Sequence, residues 1–544
     1  MSKKLLVLAS ALAVLLGGAA AVPAQAAPGG DEPATAAKPF TPKKLRFARC
    51  ADPQLTQNKI QCATLRVPLD YAKPRGATIK LAVTRLKHRS SAKRYQGVML
   101  TNPGGPGGSG LGLAVLGRGD IIPGTGDDEY DWIGFDPRGV GSSRPALSCD
   151  PDYAGYDRPP YEPTTPAIER AWLAKAAAYS KDCGNASASR LLDHVRTTDN
   201  VKDMESLRKA LGRRQINFYG FSYGTYLAQV YATKHPTRVR RFVMDGNVDP
   251  TRVWYRSNLD QDLAFEKSIN VWFTWVASHD DVYGLGTTRA AVSKAYYDEL
   301  DQLAAKPAAG GKIGPSELND VLLQAGYYVF GWDELAHALS DLVVRDDASA
   351  VLGLYPAPGG KQADNGNAMY LATVCTDARW PSSFARIRRD NVAVDKRAPF
   401  ETWANAWFNQ PCVNWPGGSG RPVKVTGRKV DSKVLLISET LDGATPYSGS
   451  LKVRRLFPSA SLVEGVGGTT HAGSLSGVAC VDRTIGRYLK TGKVPKRVSG
   501  NRSDKQCAPV PAPKPTTSTD AARRSTSSTG DDLLRRTLTA AQVR

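Results

Sequence analysis

The chain has 544 residues, 41% hydrophobic and 23% charged, and 72 Lys and Arg against 51 Asp and Glu give it a formal net charge of +21. At that length the burial of a sizeable core is no constraint, and one large domain carrying an insertion fits as well as two domains. The basic residues are scattered, without a dense run interleaved with aromatics, which argues against nucleic acid as a partner and leaves at most a loose attraction to an anionic cell envelope.

In chain order, residues 1–26 read as an export signal: Lys3 and Lys4, the apolar stretch from Leu5 to Leu16, and the small-residue site Ala24-Gln25-Ala26. A secreted, extracellular protein starting near Ala27 follows, and no later segment offers about 18 uncharged apolar residues for membrane insertion. Residues 27–44, rich in Ala, Pro and Lys, read as a flexible leader or pro-segment. Eight cysteines follow the signal, and an even number in an exported chain favours disulfides, with sequential neighbours the simplest pairing. None forms a C-x-x-C pair, so no metal site is expected.

Short β-rich runs at Gly97 to Thr101, Trp132 to Phe135, Ile216 to Tyr219 and Arg241 to Met244 alternate with helical patterns, as in a mostly parallel sheet covered by helices. From 251 to 425 the pattern turns helical, with apolar spacing over Leu259 to Ser278, Arg289 to Ala305 and Pro315 to Val344. Strands resume at Val434 to Ser438 and Ser461 to Val466. The economical reading is an α/β core in two parts, 45–250 and 426–510, with a helical lid inserted before the strand Val434 to Ser438. Residues 511–544, opening Pro-Ala-Pro-Lys-Pro, read as a disordered tail.

The motif Gly220-Phe221-Ser222-Tyr223-Gly224 lies between a strand and a helical stretch. That is the context of a nucleophile elbow, in which a serine sits on a strained turn and small flanking residues avoid the adjoining strand and helix. Upstream, Asn102-Pro103-Gly104-Gly105-Pro106-Gly107-Gly108 closes the strand that starts at Gly97, where an α/β-hydrolase fold places half of its oxyanion hole. The expected donors are the N–H groups of Tyr223 and Gly105, with Gly104 the nearest alternative. A serine needs a base and an acid to orient that base. Of six histidines, His471 alone follows the last strand on a Gly-rich loop, and the chain order Ser, acid, His selects it as base and Asp442, after the strand Val434 to Ser438, as acid. Asp245, one strand earlier, is the alternative acid. Arg138, in the loop Asp136 to Gly141, is read as a structural ion-pair partner.

These segments together resemble the secreted tripeptidyl aminopeptidases and prolyl iminopeptidase-like α/β-hydrolases: N-P-G-G-P-G-G-S-G from Asn102, D-P-R-G-V-G-S-S from Asp136, Y-G-F-S-Y-G-T from Tyr219, M-D-G from Met244, L-D-G-A-T-P from Leu441, and His471 followed by Cys480. The match spans Cys50 to Cys507, and Pro103 departs from it by occupying the place of the histidine that usually opens the oxyanion loop of prolyl iminopeptidases. The resemblance implies a helical lid, a TAP-like carboxy-terminal segment, the triad Ser222, Asp442 and His471, and no cofactor. It implies peptide substrates with a free amino terminus, whose ammonium needs a carboxylate; Asp333, Glu334, Asp377 and Glu439 are the candidates. A carboxylesterase or a proline-specific peptidase on the same fold is the alternative, and a non-catalytic envelope-binding protein stands further off.

Overall fold

A computed structural model of the chain describes residues 39–119, 121–122, 127–355 and 359–516. The export signal, the leader up to residue 38 and the tail from 517 onward lie outside the described residues.

The described residues form a sheet of ten strands: β1 (Ala48–Arg49), β2 (Gln61–Pro68), β3 (Thr78–Leu86), β4 (Gly97–Asn102), β5 (Tyr130–Phe135), β6 (Ile216–Phe221), β7 (Val239–Asp245), β8 (Val434–Glu439), β9 (Ala460–Gly465) and β10 (Lys505–Cys507). Their order is β1-β2-β3-β5-β4-β6-β7-β8-β9-β10. From β5 through β10 every pairing is parallel. β1, β2 and β3 pair antiparallel, and β3 joins the rest antiparallel through β5. The central strands are buried along their whole length and mostly apolar. All six strands expected from the sequence are present. The hairpin β2–β3 is an addition, although its alternation was readable: Ile79, Leu81 and Val83 point into the core while Thr78 and Lys80 are exposed.

β7 and β8 are hydrogen-bonded neighbours although the whole helical segment lies between them. Within it, the helices Tyr255–Ala277, Arg289–Ala305, Pro315–Tyr327 and Trp332–Arg345 pack around an apolar core of their own, including Ile269, Trp272, Leu322 and Leu339. The helical pattern from Pro315 to Val344 is thus two helices: Tyr328 adopts an extended conformation (φ −142°, ψ 123°) and ends the first. The later helix Lys361–Asp377 packs instead on the main core, through Met369, Leu371 and Val374.

Four disulfides join sequential neighbours: Cys50–Cys62, Cys149–Cys183, Cys375–Cys412 and Cys480–Cys507. Arg138 is buried and pairs through two nitrogens with Asp203, both at 2.7 Å, rather than with its neighbour Asp136. Residues 511–516 do not continue as free tail. They run as a strap against the helix Trp332–Arg345, where Thr516 donates to Asp333 from its backbone N–H (3.1 Å) and its hydroxyl (2.6 Å). Among the described residues no helix is long and apolar enough to cross a membrane.

Candidate active site

β6 runs straight into Ser222, whose backbone (φ 53°, ψ −125°) lies in a region that non-glycine residues rarely occupy. The strain is held by neighbours: Ser222 N–H donates to the Asp245 carbonyl at 2.9 Å, and the Ser222 carbonyl accepts the Thr225 hydroxyl at 2.6 Å. The flanking glycines are demanded by close approach. A Cβ on Gly220 would stand 2.4 Å from the Phe218 ring, and one on Gly224 would stand 2.8 Å from the Asn102 carbonyl oxygen. The helix Tyr223–Lys234 begins immediately after the serine, so the Tyr223 N–H is the first amide at a helix N-terminus, where such groups have no partner within the helix.

Asp442 and His471 come together from the loops after β8 and β9. His471 Nδ1 lies 3.0 and 2.9 Å from the two carboxylate oxygens of Asp442. The same carboxylate accepts the N–H groups of Ala444 and Thr445, both at 2.9 Å, and the Thr445 hydroxyl at 2.7 Å. With those donors engaged, Asp442 can rotate neither away from the imidazole nor into solvent. His471 is fully buried, its N–H donates to the lid carbonyl of Tyr327 at 2.8 Å, and the Tyr327 ring meets it edge-on at 5.7 Å. Among the described residues its Nε2 has no hydrogen-bond partner, and Ser222 Oγ makes no hydrogen bond to it. The imidazole is therefore oriented at one nitrogen and unpartnered at the other, as a general base awaiting a proton donor would be. Asp245 is engaged elsewhere, since its Oδ2 accepts the Ser474 N–H at 2.8 Å, and burial raises its carboxyl to about 6.

Ser222 lines a shallow cleft together with Gly105, Tyr223, Asp249, Asp260 and Gln261. Gly104 donates its N–H to Asn102 Oδ1 at 3.1 Å, which leaves Gly105 as the loop residue whose amide can serve an oxyanion. Gln261, in the lid helix Tyr255–Ala277, donates to the Ala444 carbonyl at 2.6 Å and so ties the lid to the loop bearing Asp442.

None of the four acids proposed for the substrate ammonium lines this cleft. Asp333 is taken by Tyr283 and Thr516, and Glu334 is exposed. Asp377 is buried, accepts the Thr197 hydroxyl and N–H at 2.6 and 2.7 Å, and is raised by burial to about 6. Glu439 is buried behind the His471 loop. The carboxylates that do reach the cleft are Asp249 and Asp260, and Arg252 occupies both oxygens of Asp260 at 2.5 Å. Asp249 uses Oδ1 for the Thr251 N–H and hydroxyl. A sequence signal for it existed, since Asp249-Pro250 follows β7 at the same strand ends as Ser222.

Residues 97–295 match the model of the alpha/beta hydrolase fold family, and residues 398–507 match that of the TAP-like proteins. The chain is similar to a tripeptidyl aminopeptidase of Streptomyces lividans, 38% identical over 86% of this chain and 87% of the relative. It is also similar to the serine protease Hip1 of Mycobacterium tuberculosis, 29% identical over 80% of this chain and 86% of that protein. A carboxylesterase B of the same organism is likewise 29% identical, over 80% and 85%.

Proposed function

The chain belongs to the tripeptidyl aminopeptidase family of serine peptidases on the α/β-hydrolase fold, and on that premise we propose that it releases tripeptides or similarly short peptides from free amino termini, with Ser222 as nucleophile. In this reading Ser222 Oγ attacks the scissile carbonyl carbon while His471 Nε2 takes its proton. The N–H groups of Tyr223 and Gly105 receive the charge that builds on the carbonyl oxygen. His471 then gives the proton to the departing amine, leaving an acyl-enzyme that water resolves by the same relay in reverse. Asp442 holds the Nδ1 proton, so that Nε2 is the basic nitrogen. Two observations carry the reading: a buried imidazole bonded to Asp442 at Nδ1, and a serine held on a strained turn at the end of β6.

Release of a short amino-terminal piece needs a carboxylate that meets the substrate ammonium inside the cleft. Asp249 is our candidate, because Arg252 already neutralises Asp260. The four disulfides and the amino-terminal export pattern support secretion, and the net charge of +21 supports loose association with an anionic envelope.

The test is a panel of tripeptide, single-residue and amino-blocked chromogenic amides beside short acyl esters. Fast cleavage of free tripeptide amides and loss on blocking the amino terminus are expected. Equal rates on blocked amides refute the aminopeptidase reading, and turnover of the esters alone makes the enzyme a carboxylesterase.

A further inference from the structure

The loop that carries His471 is held by a carboxyl group outside the proton relay. Glu439 ends β8, and its buried side chain reaches between that loop and the carboxy-terminal strap. Its Oε2 accepts the N–H of Thr470, the residue directly before His471, at 2.6 Å. Its Oε1 accepts the N–H of Val510 at 2.7 Å. The loop closes on the carboxyl so tightly that a Cβ at Gly468 would stand 2.3 Å from Oε2. Beyond Glu439, Val510 packs into the lid core, and the strap continues to Thr516 and its bonds to Asp333 on the lid helix Trp332–Arg345. Three segments thus meet at one side chain: the His471 loop, the strap and, through the strap, the lid.

We propose that Glu439 is a positioning residue for His471, fixing the place of the imidazole by holding the Thr470 amide and tying the same loop to the strap through Val510. A loop built from Gly467, Gly468, Thr469 and Thr470 has little stiffness of its own, and a buried amide deprived of its acceptor is costly enough to move the loop. Displacement of a catalytic group by about 1 Å can cost on the order of 100-fold in rate. Burial, reinforced by repulsion from Asp442 and Asp245, raises the Glu439 carboxyl to about 8, so at neutral pH it holds the loop largely without adding a charge beside the Asp442–His471 pair.

The proposal rests on the Ser222, His471, Asp442 triad but not on the tripeptide preference, so the assay uses whichever amide or ester the enzyme turns over. Glu439→Ala and Glu439→Gln are compared with wild type for kcat and KM, with active sites counted by a fluorophosphonate probe. The Nδ1 proton of His471 is followed by its downfield NMR resonance. For Glu439→Ala we expect kcat per active site to fall roughly 10- to 100-fold with KM within about twofold, and the downfield resonance to weaken. Glu439→Gln keeps one acceptor oxygen and should recover part of the loss, remaining at least roughly threefold below wild type. If Glu439→Ala does not fold, Glu439→Gln carries the test alone. A kcat per active site within twofold of wild type in a folded variant, with only a lower Tm, overturns the proposal. Ser222→Ala is run in parallel: continued labelling and turnover there would sink the triad itself, whatever the Glu439 variants do.

Discussion

Replacing Asp442 by Asn changes one atom, and its consequence can be worked from the hydrogen bonds. Oδ1 of Asp442 accepts two backbone N–H groups, from Ala444 and Thr445, so the carbonyl oxygen of an asparagine would take that side. Its NH₂ would then fall where Oδ2 now faces the Thr445 hydroxyl and His471 Nδ1. A donor at that place forces Nδ1 to accept, moves the imidazole proton to Nε2, and leaves Nε2 unable to take the serine proton. Loss of the correct tautomer in serine proteases costs about 10⁴ in kcat, equivalent to about 5.4 kcal/mol of transition-state stabilisation. We therefore expect Asp442→Asn to lower kcat on the order of 10⁴-fold with little change in folding, measured by steady-state kinetics together with thermal unfolding. Asp245→Asn can keep its carbonyl on the Ser474 N–H and should lose less than about tenfold. An Asp442→Asn enzyme within tenfold of wild type, or an Asp245→Asn enzyme that loses as much, refutes the assignment of the acid.

Asp249→Asn should raise KM for free-amine peptides roughly 10- to 100-fold, the loss of one charge-assisted bond of about 1.5–3 kcal/mol, while leaving ester turnover unchanged. A KM unchanged on both substrates removes Asp249 from the amine site. The Glu439 carboxyl is raised in the folded state, so the fold retains a proton that the unfolded chain gives up above its ordinary value near 4.5. The stability from that retained proton is complete below that value and is lost as pH rises through about 8. Asp136, Asp245 and Asp377, each raised to about 6, act in the same direction at lower pH. The Tm of wild type should thus fall more steeply between pH 6.5 and 8.5 than that of Glu439→Gln; parallel curves contradict this origin. Replacing Cys480 and Cys507 by Ser opens a disulfide with a sequence separation of 27 and should cost about 3.5 kcal/mol by the chain-entropy estimate, read from urea unfolding. A change below about 1 kcal/mol would mean that the helix Ala479–Thr491 and β10 hold together without it.

What could be read from residues alone follows from how local each signal is. The elbow at Ser222 combines a strand, a tight turn and a helix within neighbouring residues, so its context is visible in the chain. Asp442 and His471 lie far apart in sequence, but each follows a recognisable strand, and strand order fixes their place. The cleft was less legible. Whether an acid on a helix faces a substrate depends on which neighbours claim it: Thr197 and Trp254 for Asp377, Tyr283 and Thr516 for Asp333. Those partners come from remote segments and leave no trace in local composition. The strap shows the same limit, since a Pro-rich stretch reads as tail unless Glu439 and Asp333 are known to hold Val510 and Thr516. The β2–β3 hairpin differs, because its alternation is local and could have been counted.

The central claim is that Ser222 is acylated by the amino-terminal piece of a peptide. It is tested most directly by quenching the enzyme with a free tripeptide ester during turnover and locating the adduct by peptide mass spectrometry. The account predicts a tripeptidyl group on the fragment containing Ser222, absent from Ser222→Ala and from enzyme given the amino-blocked ester. An adduct on another residue, or equal acylation by the blocked ester, would contradict it.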